Sequence, residues 1–227
     1  MKSKLIVALD VDSYERATTL VKELGEIVDV FKVGSQLFTR VGPSMVEFIH
    51  AQGRKCFLDL KFHDIPNTVA KAVESAAAMS VHMLTVHASG GTEMLKAAAN
   101  VPNRPLLLGV TVLTSVAGNV EKQARQLAKQ ALVSGCDGVI ASPHEIRPLR
   151  KALGEHFLIV TPGIRPVWAE PGDQERTMTP AEAVAAGASY LVVGRPVIAA
   201  DKPAAAALRI TTEMSAGALA RAAANLR

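Results

Sequence analysis

Short apolar runs recur along this chain, and each is followed by a segment of helical period. Leu5–Leu9, Val28–Val33, Lys55–Leu60, Met83–His87, Leu106–Leu113, Gly138–Ala141, Leu158–Thr161 and Tyr190–Val193 read as strands. They are continuous rather than alternating, the pattern of strands buried on both faces of a parallel sheet. Helices are predicted from about Ser13, over Pro43–Ala51, from near Pro66, and over Thr92–Ala99, Val120–Val133, Glu145–Leu153, Pro180–Ala186 and Pro203 to about Ala224. Ser13 suits an N-cap, and Pro66 suits a first helical turn, where its missing N–H costs nothing. Eight strand–helix units in 227 residues predict a (β/α)8 TIM barrel of the α/β class, with residues 1–227 as one domain. A doubly wound sheet is the alternative, but no GxGxxG follows the first strand. No linker or shift in composition divides the chain.

Composition narrows the partners. Aromatic residues make up only 4%, so the core has to be built from Ala, Val, Leu and Ile. The net charge of +4 comes from scattered basic residues, with no Lys/Arg run interleaved with aromatics. That distribution does not suit nucleic acid and fits an anionic small-molecule substrate. Cys56 and Cys136 lie in apolar surroundings without CxxC spacing, and the six His residues form no HxH, HxxxH or HExxH pattern. Free buried thiols and no metal site are therefore expected. No apolar run is long enough to span a membrane, and the chain passes from Lys4 directly into its first strand. A cytoplasmic protein without a signal peptide is expected.

Active-site groups in such barrels stand at the C-terminal ends of the strands. There the chain carries Asp10, Lys32, Asp59, Lys61, Thr114, Arg165, Gly194 and Arg195. His87 is also at a strand end, where a lone His more often makes a structural hydrogen bond. Strand alternation puts Asp59 and Lys61 on one face, whereas Asp64 lies past the strand and need not enter the same cavity. Lys32, Asp59, Lys61 and Asp64 form an alternation of charge. A lysine kept as its ammonium among carboxylates suits general-acid protonation of a carbanion and is a poor Schiff-base former. Gly194-Arg195-Pro196 reads as a strand-to-helix turn able to take a phosphate. The connection over about 163–179 contains Arg165, Trp168, Gln174 and Arg176, and its length and Gly/Pro content predict a lid or binding loop.

The segments DLKFHDIPNT, FKVG, GVTVLTS, TPGIRP and LVVGRP resemble orotidine 5′-phosphate decarboxylases, from Ala8-Leu9-Asp10 to Gly194-Arg195. The resemblance implies conversion of orotidine 5′-monophosphate to UMP and CO2 in pyrimidine biosynthesis, with no metal or organic cofactor. It implies that Lys61 protonates C6 of the pyrimidine, that Asp59 lies beside the departing carboxylate, and that Lys32 and Asp10 hold the ribose hydroxyls and the charge network. It further implies a homodimer in which Asp64 and Thr68 enter the neighbouring subunit's site. Thr114 would contact the pyrimidine edge, Gln174 would bridge base and phosphate, and Arg165, Gly194 and Arg195 would complete the phosphate site. Sugar-phosphate enzymes such as hexulose-phosphate synthases share DxKxxD but use Mg2+; Ile65-Pro66-Asn67-Thr68 and the loop bearing Gln174 argue against them. A non-catalytic phosphate-ligand binder would have little reason to keep two lysines buried among carboxylates. The chain departs from many such decarboxylases at Ile198, where they carry Thr or Ser.

Overall fold

The structure, a computed structural model, describes residues 3–113, 120–169 and 177–224. Eight parallel strands close into a barrel in sequence order: β1 Lys4–Ala8, β2 Val30–Gly34, β3 Lys55–Phe62, β4 Met83–His87, β5 Leu106–Val110, β6 Gly138–Ile140, β7 Leu158–Thr161 and β8 Tyr190–Val193. Closure is made by β8 on β1, from Lys4 opposite Tyr190 to Val7 opposite Val193. Each predicted strand is present: Met83–His87, Leu158–Thr161 and Tyr190–Val193 match end to end, and the other five have ends shifted by one to three residues. The predicted run Leu106–Leu113 stops at Val110, while β3 continues past Leu60 to Phe62.

The alternation of side chains explains why these strands read as unbroken apolar runs. Ile6, Ala8, Val30, Phe57, Met83, Leu108, Val160, Tyr190 and Val192 fill the barrel interior. Their neighbours Leu5, Val7, Phe31, Leu58, Leu84, Leu107, Ile159 and Leu191 point outward into the layer of helices. Both faces are therefore sealed from water, and no polar face has to appear in the sequence. Two residues beyond the interior set, the same parity brings up Asp10, Lys32, Asp59, Thr85, Val110, Pro162 and Gly194. The site is the top layer of the barrel, where side chains no longer meet across the axis.

The helices follow their sequence signals. In α1, Tyr14–Leu24, the Ser13 hydroxyl accepts from the N–H of Arg16 at 3.2 Å. Helix α4, Pro66–Ala78, opens on its proline. In α8, Pro180–Ala186, Thr179 and Glu182 cap each other reciprocally, and Gly187 leaves the helix at φ 113°. Helix α2, Ser35–Val41, was not expected from the sequence; two turns are too short to show a period. The remaining helices are α3 Ser44–Ala51, α5 Gly91–Ala99, α6 Glu121–Val133, α7 Ile146–Leu153, α9 Arg195–Ile198 and α10 Pro203–Ala224. The predicted helix at Glu145 starts one residue later, because Pro143–Glu145 forms a separate 3-10 turn.

Both feet of the long connection after β7 are fixed. Ile164 and Met178 form a parallel bridge, with the N–H of Arg165 donating to the Met178 carbonyl at 3.0 Å. Trp168 Nε1 donates to Glu213 Oε1 of α10 at 2.8 Å, and the Arg209 guanidinium lies 4.6 Å from the centre of its ring. Among the described residues, no helix is long and apolar enough to cross a membrane.

Candidate active site

β1, β2 and β3 end side by side and bring four charged groups into one row. Lys32 Nζ lies 2.9 Å from Asp10 Oδ1 and 3.6 Å from Asp59 Oδ2, and Lys61 Nζ lies 2.9 Å from Asp59 Oδ1. The row is Asp10–Lys32–Asp59–Lys61, with the signs alternating. Its centre is withdrawn from water: the side chains of Lys32 and Asp59 are 10% and 12% exposed, against 35% for Lys61 and 52% for Asp10. Burial by itself would raise the Asp59 carboxyl's pKa. The charges of Lys32 and Lys61 and the hydrogen bonds from Lys61 and Thr85 outweigh it and hold the carboxyl below its ordinary range. Asp59 is therefore a fixed anion between two cations.

The geometry of Lys61 depends on an irregularity of β3. Leu58 pairs with Leu84 and Phe62 with Val86, so Asp59, Leu60 and Lys61 lie opposite the single residue Thr85. Two extra residues form a bulge that preserves the alternation and lifts Lys61 toward the mouth of the barrel. Lys61 has φ 52°, the left-handed region, which costs a non-glycine residue of order 1–3 kcal/mol. The two other described non-glycine residues with positive φ, Ser80 and Asn103, sit in turns rather than in a strand.

These groups line a cavity of about 440 Å3, within the size range of small-ligand sites. Its wall beyond the charged row is apolar, formed by Val110, Val112, Leu113 and Ile140, and Arg165 and Arg195 line it as well. Gly194 and Arg195 lead into α9, a single turn. A helix this short has little macrodipole, so attraction for an anion here rests on the two guanidinium groups. At Gly34, an added Cβ would come within 2.9 Å of Lys32 Nζ and 3.4 Å of Asp10 Oδ1. The glycine of FKVG thus leaves room for the first ion pair of the row.

Not every predicted residue joins this cavity. Asp64 stands outside it on the exposed rim, where its Oδ1 accepts from the N–H of Ile65 at 2.7 Å, and Thr68 is exposed on the first turn of α4. Asp10, rather than Asp64, completes the row of charges within one chain. His87 turns to His63, their ring centres 5.3 Å apart; burial, then the charges of His63 and Lys61, push its pKa down against the opposing pull of Asp59. Thr114 and Gln174 lie outside the described residues.

The profile of the Orotidine 5′-phosphate decarboxylase / HUMPS family matches residues 3–210. The chain belongs to this family. It is 49% identical to an orotidine 5′-phosphate decarboxylase of Heliobacterium modesticaldum, over 95% of this chain and 97% of that protein. It is 50% identical to one of Syntrophotalea carbinolica, over 95% of this chain and 96% of that protein. The crystal structure of orotidine 5′-phosphate decarboxylase from Lactobacillus acidophilus superimposes with a TM-score of 0.82 at 39% identity, covering 93% of this chain and 99% of that one. The corresponding structure from Pyrococcus horikoshii OT3 gives 0.80 at 28% identity, with 93% and 99% covered.

Within this family fold, sequence reasoning missed Thr85. Its side chain is fully buried, and its hydroxyl donates to Asp59 Oδ1 at 3.0 Å while accepting from the backbone N–H of Lys61 at 2.9 Å. The available signal was a hydroxyl at an inward position of the run Met83-Leu84-Thr85-Val86. Buried hydroxyls in a barrel interior need a partner, and the nearest polar layer is the charged row. The apolar wall was also missed, because nothing in one sequence separates a Val that faces a ligand from one that faces the core.

Proposed function

We propose that this protein decarboxylates orotidine 5′-monophosphate to UMP and CO2, a step of pyrimidine biosynthesis, without metal or organic cofactor. The observation that carries this reading is the Asp10–Lys32–Asp59–Lys61 row in a cavity that two arginines also line. An anionic phosphate is recognised by Arg165 and Arg195, with Gly194 allowing close approach. The apolar wall receives the pyrimidine, and Asp10 and Lys32 take the ribose hydroxyls.

In the reaction the bond from C6 to the carboxylate breaks, CO2 leaves, and the electron pair remains on C6. Lys61 then gives a proton from Nζ to C6, and solvent returns one to the amine. Two ammonium groups in a poorly hydrated site favour the developing negative charge at C6. Asp59 holds Lys61 Nζ in place and, beside the substrate carboxylate, favours its departure as neutral CO2. Phosphate contacts remote from C6 direct binding energy to this step. Thr114 and Gln174 are assigned to the pyrimidine edge and to the bridge between base and phosphate, and the 163–179 connection to gripping the phosphate.

We assign Asp64 and Thr68 to the site of a neighbouring subunit in a homodimer. Their exposure on the rim, next to an Ile65 that is 66% exposed, supports an interface there. A cytoplasmic location without nucleic-acid or membrane partners belongs to the same reading. Loss of orotate absorbance on adding orotidine 5′-monophosphate, with and without EDTA, tests it. Turnover that survives the chelator is expected; no turnover, or turnover abolished by EDTA, would sink it.

A further inference from the structure

We infer that Thr85 is a positioning residue for the proton-donating lysine, its single hydroxyl locking the Asp59–Lys61 pair by bonding to both members; this rests on the decarboxylase reading above. A threonine hydroxyl has one proton to give and lone pairs to receive. Here the proton goes to Asp59 Oδ1, the same oxygen that Lys61 Nζ approaches at 2.9 Å, and a lone pair receives the N–H of Lys61. The oxygen is thus bonded to the lysine's backbone and to the lysine's counter-ion at once.

The bulge explains why a side chain is needed for this. Asp59, Leu60 and Lys61 face one residue of β4, so the regular ladder has no partner for every amide of the segment. Thr85 supplies the partner from its side chain at the point where the chain takes φ 52°. Its own backbone is held in register on the other side, where Thr85 pairs with Leu108 of β5. The side chain stands over Met83 in the packed interior and is fully buried. The position of Lys61 Nζ is thereby referred to the rigid barrel wall rather than to the mobile end of a long side chain. Thr85 shares the layer of the row but does not line the cavity, so its effect on the substrate passes through Asp59 and Lys61.

Thr85→Val keeps shape and burial but removes both hydrogen bonds; Thr85→Ser keeps the hydroxyl. With full-length protein and orotidine 5′-monophosphate, Thr85→Val is expected to lower kcat about ten- to a hundredfold, the scale of a hydrogen bond to a charged group, with KM little changed. Thr85→Ser is expected to restore most of the lost kcat. Amide hydrogen exchange, read by NMR without substrate, should accelerate at Lys61 in Thr85→Val while Leu58 keeps its protection. If the valine variant is insoluble, Thr85→Ala makes the same deletion without crowding. Wild-type kcat together with unaltered Lys61 exchange in the hydroxyl-free variant would overturn the inference, as would a Thr85→Ser enzyme as slow as Thr85→Val. A wild-type protein without turnover would overturn only the decarboxylase reading, since the exchange measurement needs no reaction.

Discussion

Replacing Asp59 by Asn keeps the shape of the side chain and removes one charge from the middle of the row. At an effective dielectric of about 20, charges 2.9 and 3.6 Å apart attract by roughly 6 and 5 kcal/mol, the gross pull of Lys61 and Lys32 on Asp59. Most of this is offset by the cost of taking the carboxylate out of water, and the Lys61 share is further screened because that side chain is 35% exposed. Removing Asp59 leaves the buried Lys32 with only the half-exposed Asp10 as its counter-ion, so Asp59→Asn is expected to lose about 3 kcal/mol, the lower end of the cost of breaking a buried pair. Urea unfolding at pH 7 measures it. Adding Lys32→Met to the Asn variant should recover part of the loss, because a buried ammonium left with one half-exposed counter-ion goes with it. The pH dependence has a definite sign. The folded Asp59 pKa lies below its unfolded value of about 3.9, so its stabilisation is complete above that pH and is lost as pH falls through the folded value. The gap between wild type and variant should therefore narrow in acid. A loss below about 1 kcal/mol at pH 7, the size of an exposed pair, or a gap that does not narrow in acid, would refute the buried-row reasoning.

Lys61→Ala should retain nucleotide binding in a titration with UMP while kcat falls by about two to four powers of ten, the usual worth of a positioned general acid. Mixing Lys61→Ala with Asp64→Ala subunits should restore about a quarter of wild-type activity in a statistical mixture, since each heterodimer would rebuild one site; no recovery under any exchange condition would remove Asp64 from the partner's site. Gly34→Ala should fold, because the atom its Cβ meets is the movable end of Lys32, yet lose activity as the Lys32–Asp10 pair is pushed apart; wild-type turnover would show that this pair can shift freely. Burial pushes the Cys56 thiol up to about 12, and burial, with smaller effects of Arg104 and Asp137, does the same for Cys136. Neither should react with a thiol reagent at pH 8 until the protein unfolds, and prompt labelling of the native protein would contradict that burial.

What the sequence determined by itself was the architecture and the identity of the charged groups. Eight apolar runs buried on both faces admit few folds other than a closed parallel barrel, and parity along the third run was enough to put Asp59 and Lys61 together. Period and parity are local properties, so they survive in one dimension. The tertiary structure decided how the row is ordered and held. That Asp10 rather than Asp64 completes it follows from β1 and β2 lying side by side, a pairing across more than twenty residues of sequence. The two-residue bulge in β3 and the Thr85 hydroxyl opposite it depend on the register between β3 and β4. Register is a relation between strands. An inward threonine in an apolar run looks like any other until the neighbouring strand puts a carboxylate and a strained amide within its reach.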